Sequence, residues 1–173
     1  MTRHIYLAVE ATGLDTNTER VVELVALEAV NGRLTGLQFH ALCNPQHPIL
    51  PDAENGTGYT NLALQDKPLL AEHIEGFLTF VQGSHVIAAN PAWSVAMLDA
   101  DLERLGWPPL AKHVRSVQRL QDIAQAQGVP APLKLAALSE RYPFPAPGHP
   151  CSETWLQAWT VAHLHAALKR EAL

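Results

Sequence analysis

Apolar and polar residues along the chain change period several times, and each change marks an element. His4 to Glu10 alternates in a β-rich run closed by Gly13, which predicts a strand. Val21 to Val30 and Arg33 to Cys43 predict two more strands. Asn31-Gly32 between them is a two-residue hairpin signal, because both residue types tolerate positive φ. Pro45 to Asn61 is rich in Pro, Gly and Asn and predicts a loop. From Pro68 to Val81 the apolar positions Leu70, Ile74, Phe77, Leu78 and Val81 fall at helical spacing, and Gly83 stops the helix. A short apolar strand, His85 to Ala89, leads to a second helix from Pro91 to Leu105, with Val95, Leu98, Leu102 and Leu105 on one face. Val114 to Val117 predicts a fifth strand running into a helix that ends at Ala126. Leu133 to Arg141 predicts another short helix. Pro143 to Pro150 must be irregular, and Ser152 to Lys169 is the closing helix. This order predicts an α/β layered domain with a mixed sheet, and 173 residues suit one domain spanning 1–173.

Composition narrows the classes. Hydrophobic residues at 47% against 17% charged predict a globular chain. A formal charge of -5 argues against holding nucleic acid by bulk electrostatics, which needs clustered Lys and Arg. It leaves room for a site that grips one strand end through metal ions. Cys43 and Cys151 form no C-x-x-C pattern, so neither a disulfide frame nor a zinc site is expected. The segment before the first strand lacks the apolar run of a signal peptide, and no stretch nears membrane-spanning length. A cytoplasmic location without membrane association is the expectation.

The chemistry sits in a few short motifs. The first strand reads Leu7-Ala8-Val9-Glu10-Ala11-Thr12-Gly13, followed by Val21-Val22-Glu23-Leu24 and Asn31-Gly32. Thr57-Gly58-Tyr59, Asp66-Lys67-Pro68, Ala89-Asn90-Pro91-Ala92-Trp93-Ser94 and Leu135-Ala136-Ala137-Leu138 come next, and His149 precedes Thr154 by five residues. In this order the set resembles the DEDDh (DnaQ-like) 3'–5' exonuclease family, to which the proofreading subunit of bacterial DNA polymerase III belongs. The family's first motif is Asp-x-Glu-x-Thr-Gly, its second His-Asn-x-x-Phe-Asp, and its third a His followed five residues later by Asp. The resemblance implies an RNase H-like fold, a five-stranded mixed sheet flanked by helices.

It also implies a site. Residues i and i+2 of a strand share a face, so Asp-x-Glu presents two carboxylates side by side. Acids from the other motifs converge on them and hold two Mg²⁺ ions roughly 3.5–4 Å apart, while the His serves as general base. Here Ala8, Ser94 and Thr154 stand at the three Asp positions, leaving Glu10 and His149 as relics of the metal ligand and the base. Ala offers no ligand atom, and neutral hydroxyls are weak ligands for a hard cation. Glu10 alone could take one ion weakly. No cofactor is therefore expected, with Mg²⁺ or Mn²⁺ the choice if activity remains. Three different replacements read as natural decay.

The expectation is a catalytically inactive exonuclease-like domain acting through a nucleic-acid end, bound weakly, or a partner protein. Two alternatives stand beside it. One is an active Mg²⁺-dependent exonuclease rebuilt on Glu10, Glu153 and His149. The other is a purely protein-binding module. Asp99 and Asp101 read as surface charges, Trp93 as core, and Trp155 as a residue filling space beside the old site or packing half-exposed. Trp155 and Trp159 at i, i+4 read as a packed helix face, and His163 and His165 at i, i+2 cannot both face one metal from a helix.

Overall fold

The computed structural model describes residues 1–171. Its strands are β1 (Arg3–Ala11), β2 (Val21–Val30), β3 (Arg33–Leu42), β4 (His85–Ala88) and β5 (Ser116–Arg119). They form one mixed sheet in the order β3-β2-β1-β4-β5. The hairpin pairs β1–β2 and β2–β3 are antiparallel, and β4 and β5 add in parallel. Asn31 and Gly32 take φ of 50° and 81°, the left-handed values that a tight hairpin turn requires.

Two helical layers cover the sheet. Along the chain, α1 (Pro51–Thr57) and α2 (Asn61–Leu64) follow β3, and the core helices α3 (Leu70–Val81) and α4 (Pro91–Arg104) come after them. After β5 come α5 (Leu120–Ala126), α6 (Leu135–Arg141) and α7 (Glu153–Glu171). Strand alternation sorts the sheet residues cleanly. Ile5, Leu7, Val9 and Ala11 join Ile74, Phe77 and Val81 of α3 and Met97, Leu98 and Leu102 of α4 in one core. Tyr6 and Ala8 join Val25 and Leu27 of β2 and Trp155, Ala158 and Val161 of α7 in the other. Even-numbered residues of β1 therefore face α7. The same face carries the odd-numbered β2 residues from Glu23 to Ala29, because the antiparallel register sets Ala8 against Val25 and Glu10 against Glu23.

Several sequence expectations are corrected. The stretch from Pro45 to Asn61, read as loop, contains α1 and the start of α2. Pro51 occupies the first turn of α1, where its missing N–H costs nothing, and Gly58 at φ 73° ends the helix. The composition that suggested a loop is thus helix punctuation. The fifth strand lies two residues later than expected, at Ser116–Arg119. Asp99 and Asp101 are structural acids, not surface charges. Asp101 is buried, accepts the Val21 N–H at 2.8 Å and holds Arg104 at 2.7 Å, while Asp99 accepts the Leu110 N–H at 2.7 Å. Arg104 also donates to the carbonyls of Asn17 and Glu19, so this pair clamps the β1–β2 connection that borders the motif strand. Trp93, read as core, is only partly buried and donates its indole N–H to the Leu14 carbonyl at 3.0 Å. Trp155 is buried at 5% exposure, which removes the half-exposed reading. No helix among the described residues is long and apolar enough to cross a membrane.

Candidate active site

The end of β1 fixes the frame. Thr12 takes the Arg20 carbonyl through its N–H at 2.9 Å and gives its hydroxyl to the buried Glu19 at 2.6 Å. At Gly13 an added Cβ would lie 2.7 Å from the end of the Leu50 side chain and 3.0 Å from that of Glu19, so a larger residue would have to displace them. The Thr-Gly pair therefore brings the segment around Leu50 against the strand end, and the Leu50 N–H bonds the Thr12 carbonyl at 2.9 Å.

On the α7 face of this end lie Ala8 and Glu10. Ala8 is fully enclosed in the apolar cluster beneath α7. Glu10 is half-buried, and burial, followed by the charge of Glu23 across the strand pair, pushes its carboxyl from 4.5 up to about 6. Glu23 behaves in the opposite way. Its side chain is 0% exposed, and burial alone would raise it. Hydrogen bonds from His40, Ser152, Thr154 and Tyr59 outweigh burial and hold it below the usual carboxylate range. His40 Nε2 lies 2.7 Å from it, the Tyr59 hydroxyl 2.9 Å and the Ser152 hydroxyl 2.5 Å. Against a carboxylate, Nε2 must be the protonated nitrogen of His40.

The head of α7 closes over this pair. Ser152 caps the helix: its hydroxyl accepts the Trp155 N–H at 3.1 Å while donating to Glu23. Thr154 is buried in the first turn beside Glu23. Trp155 turns the other way, giving its indole N–H to Gln38 of β3 at 2.8 Å and stacking on Trp159 at 5.2 Å. That aromatic row continues to His163 at 4.1 Å from Trp159, while His165 points into the core.

The sequence-derived positions are thus brought together unequally. Glu10 and Thr154 meet at Glu23. Ser94 is buried in the first turn of α4, in the layer on the opposite face. Among the described residues its hydroxyl makes no hydrogen bond to Glu10, Glu23 or Thr154. His149 is exposed, sits edge-on to Trp155 with ring centres 4.8 Å apart, and borders a hollow of about 240 Å³ lined also by Leu27, Leu34, Gln38 and Trp159. Its lining takes residues from both strands of the β2–β3 hairpin. Glu153 is the first residue of α7 and is exposed. Among the described residues no group of three or more His, Cys, Asp or Glu is arranged to hold a metal ion, so Glu10, Glu153 and His149 do not form one. Sequence reasoning missed Glu23, Ser152 and His40. The available signal was alternation: an acid in step with Val25 and Leu27 of a long apolar strand must be buried and therefore bonded.

Comparison with known proteins follows the same frame. The model of the family described as Exonuclease matches residues 7–150, most of the chain and every motif up to His149. The chain belongs to the exonuclease family. This exonuclease-family chain is 33% identical over 109 residues to the DNA polymerase III subunit epsilon of Pasteurella multocida, covering 60% of itself and 43% of that protein. It is 30% identical over 169 residues to the same subunit of Rickettsia prowazekii, covering 96% and 73%. It spans less than half the length of the first curated relatives it matches. Among solved structures, E. coli exonuclease I in complex with a 5cy-dT13 oligonucleotide superposes with a TM-score of 0.80 at 15% identity, over 98% of this chain and 41% of that one. Exonuclease X with 5' overhanging duplex DNA gives 0.69 at 18%, over 100% and 94%. At these identities the likeness carries the fold, which is RNase H-like.

Proposed function

We propose that this domain has lost the cleavage reaction of its family and acts by binding, holding a nucleic-acid end or a partner protein. One observation carries the reading: the position of the first motif acid is a methyl group sealed in an apolar cluster, and the position of the third is a buried neutral hydroxyl. The family's divalent ions need carboxylates on both sides of an ion pair. Glu10 offers one carboxylate, and the oxygens of Glu23 are occupied by protein donors. The residues present do not fit a two-metal centre, and no catalytic step is derived through one. General base catalysis by His149 would contribute only ~10²–10⁴-fold, and its ring packs on Trp155. A net charge of -5 supports a protein occupant over a nucleic acid held by charge alone.

The test is a degradation assay. Single-stranded DNA or RNA incubated with the purified protein and Mg²⁺ or Mn²⁺ should show no 3'–5' shortening above background. Cleavage by the unaltered protein that disappears in Glu10→Ala sinks the proposal and establishes a rebuilt site.

A further inference from the structure

We propose that Glu23 is a positioning residue that clamps the head of α7 to the sheet and does so in place of a bound cation. The inference rests on the non-cleaving reading above. Glu23 receives three donors, from His40 on β3, from Tyr59 just after α1, and from Ser152 at the head of α7. These donors, not an ion, compensate its charge. Three segments far apart in sequence are gathered on one buried side chain. Ser152 links the clamp directly to helix geometry, because the hydroxyl that donates to Glu23 also caps the Trp155 N–H. The carboxylate consequently lies at the positive end of a 19-residue helix, a favourable place for an anion.

The chemistry at position 154 explains the exchange. An acid there would face Glu10 and Glu23, three like charges that only a cation could reconcile. A threonine there is buried and carries no charge, so the helix head held by Ser152 lies against the strand acids with no ion present. The same substitution that removes a metal ligand therefore removes the need for an ion. Two consequences separate this from a merely structural acid. The protein's stability should be indifferent to divalent ions, and an acid at 154 should make it depend on them.

Thermal melting of the full chain, in chelator and with Mg²⁺, tests both. The unaltered protein should melt at the same temperature in the two conditions. Glu23→Gln and Ser152→Ala should each lower Tm by about 5–10 °C, and the double variant should fall by less than their sum, because they break one network. Thr154→Asp should melt about 5–10 °C lower in chelator and recover in Mg²⁺. If Glu23→Gln does not fold, Ser152→Ala and Thr154→Asp carry the test. A rise in the Tm of the unaltered protein with Mg²⁺ overturns the clamp. So do strict additivity, a Thr154→Asp variant as stable as the parent in chelator, or one that Mg²⁺ fails to recover. An Mg²⁺ effect on Tm without nuclease activity would remove the clamp and leave the non-cleaving reading standing. Nuclease activity would remove that reading whatever the melts show.

Discussion

Glu10 and Glu23 face each other across one strand pair, yet their carboxyls shift in opposite directions, and the difference is a matter of donors. Glu23 is more enclosed but fully bonded. Glu10 keeps only the Ala11 backbone as an opposing influence against burial and its neighbour's charge. A carboxyl raised in the folded state favours folding when protonated, so Glu10 costs stability as pH rises from its unfolded value of 4.5 through about 6. Removing its charge should help. Glu10→Gln is expected to stabilise the protein at neutral pH by about 1 kcal/mol, after discounting for the solvent that reaches this half-buried side chain. The gain should vanish near pH 4, where the parent carboxyl is already protonated. Urea unfolding of both proteins at the two pH values checks it. A variant less stable than its parent at neutral pH would mean that Glu10 has a favourable partner, and an ion would be the first suspect.

At the scale of elements, α7 carries a second group of buried titratable residues, at the end of the sheet away from Glu10. His165 lies against Tyr6 and His4 of β1, with His4 also 5.9 Å from His85 of β4. The Tyr6 hydroxyl and His165 Nδ1 are 2.9 Å apart, while His4 Nδ1 has no hydrogen-bond partner. Burial, then Lys169, then the neighbouring imidazoles lower His4 to about 4 and His165 to about 3. Both bind protons more readily unfolded, at 6.5, so their neutral forms stabilise the fold fully above that pH. Stability should fall as pH drops through 6.5 toward 4, with a slope approaching ~2.7 kcal/mol per pH unit for two protons. His165→Gln should reduce that slope by ~1.4 kcal/mol per pH unit in urea unfolding curves. An unchanged slope would show that other groups govern the acid side. This cluster was not legible in the sequence, where His4 and His165 are isolated polar residues in otherwise apolar stretches. By contrast, the helical spacing of Leu70, Ile74, Phe77, Leu78 and Val81 gave away α3, since periodicity is written locally. The loop reading of Pro45 to Asn61 failed because Pro and Gly mark the ends of α1 as readily as they mark a loop. Glu23 escaped for a related reason. Motif offsets direct attention to Glu10, Ser94 and Thr154, whereas the role of Glu23 depends on pairing with β1 and on partners at 40, 59 and 152.

For the whole molecule the open contest is between a strand end and a protein as occupant, and the charge inventory bears on it. Twelve Lys and Arg stand against seventeen Asp and Glu. Several of the twelve are committed internally: Arg3 to Glu28 and the Phe80 carbonyl, Arg104 to Asp101 and the β1–β2 connection, Arg20 to the carbonyls of Thr18 and Glu19. A guanidinium already bonded to protein gains little from a phosphate, because the new contact replaces the old one. Affinity for single-stranded nucleic acid grows with the number of phosphates neutralised, and the logarithm of the binding constant falls with that of salt at about -0.7 per phosphate. A domain in which acids outnumber bases, and a site whose remaining acids repel phosphate, should engage only one or two. Fluorescence anisotropy of a labelled oligo-dT across a salt series is therefore expected to give weak binding with a slope no steeper than about -1.5. Divalent ions should not improve it, since Glu23 is held by three protein donors and Glu10 stands alone. A steep slope with tight binding at moderate salt would reveal a basic track formed by side chains that ion pairing leaves free. The strand end would then be the occupant. Weak, salt-insensitive binding leaves a protein as the partner to which this fold is put.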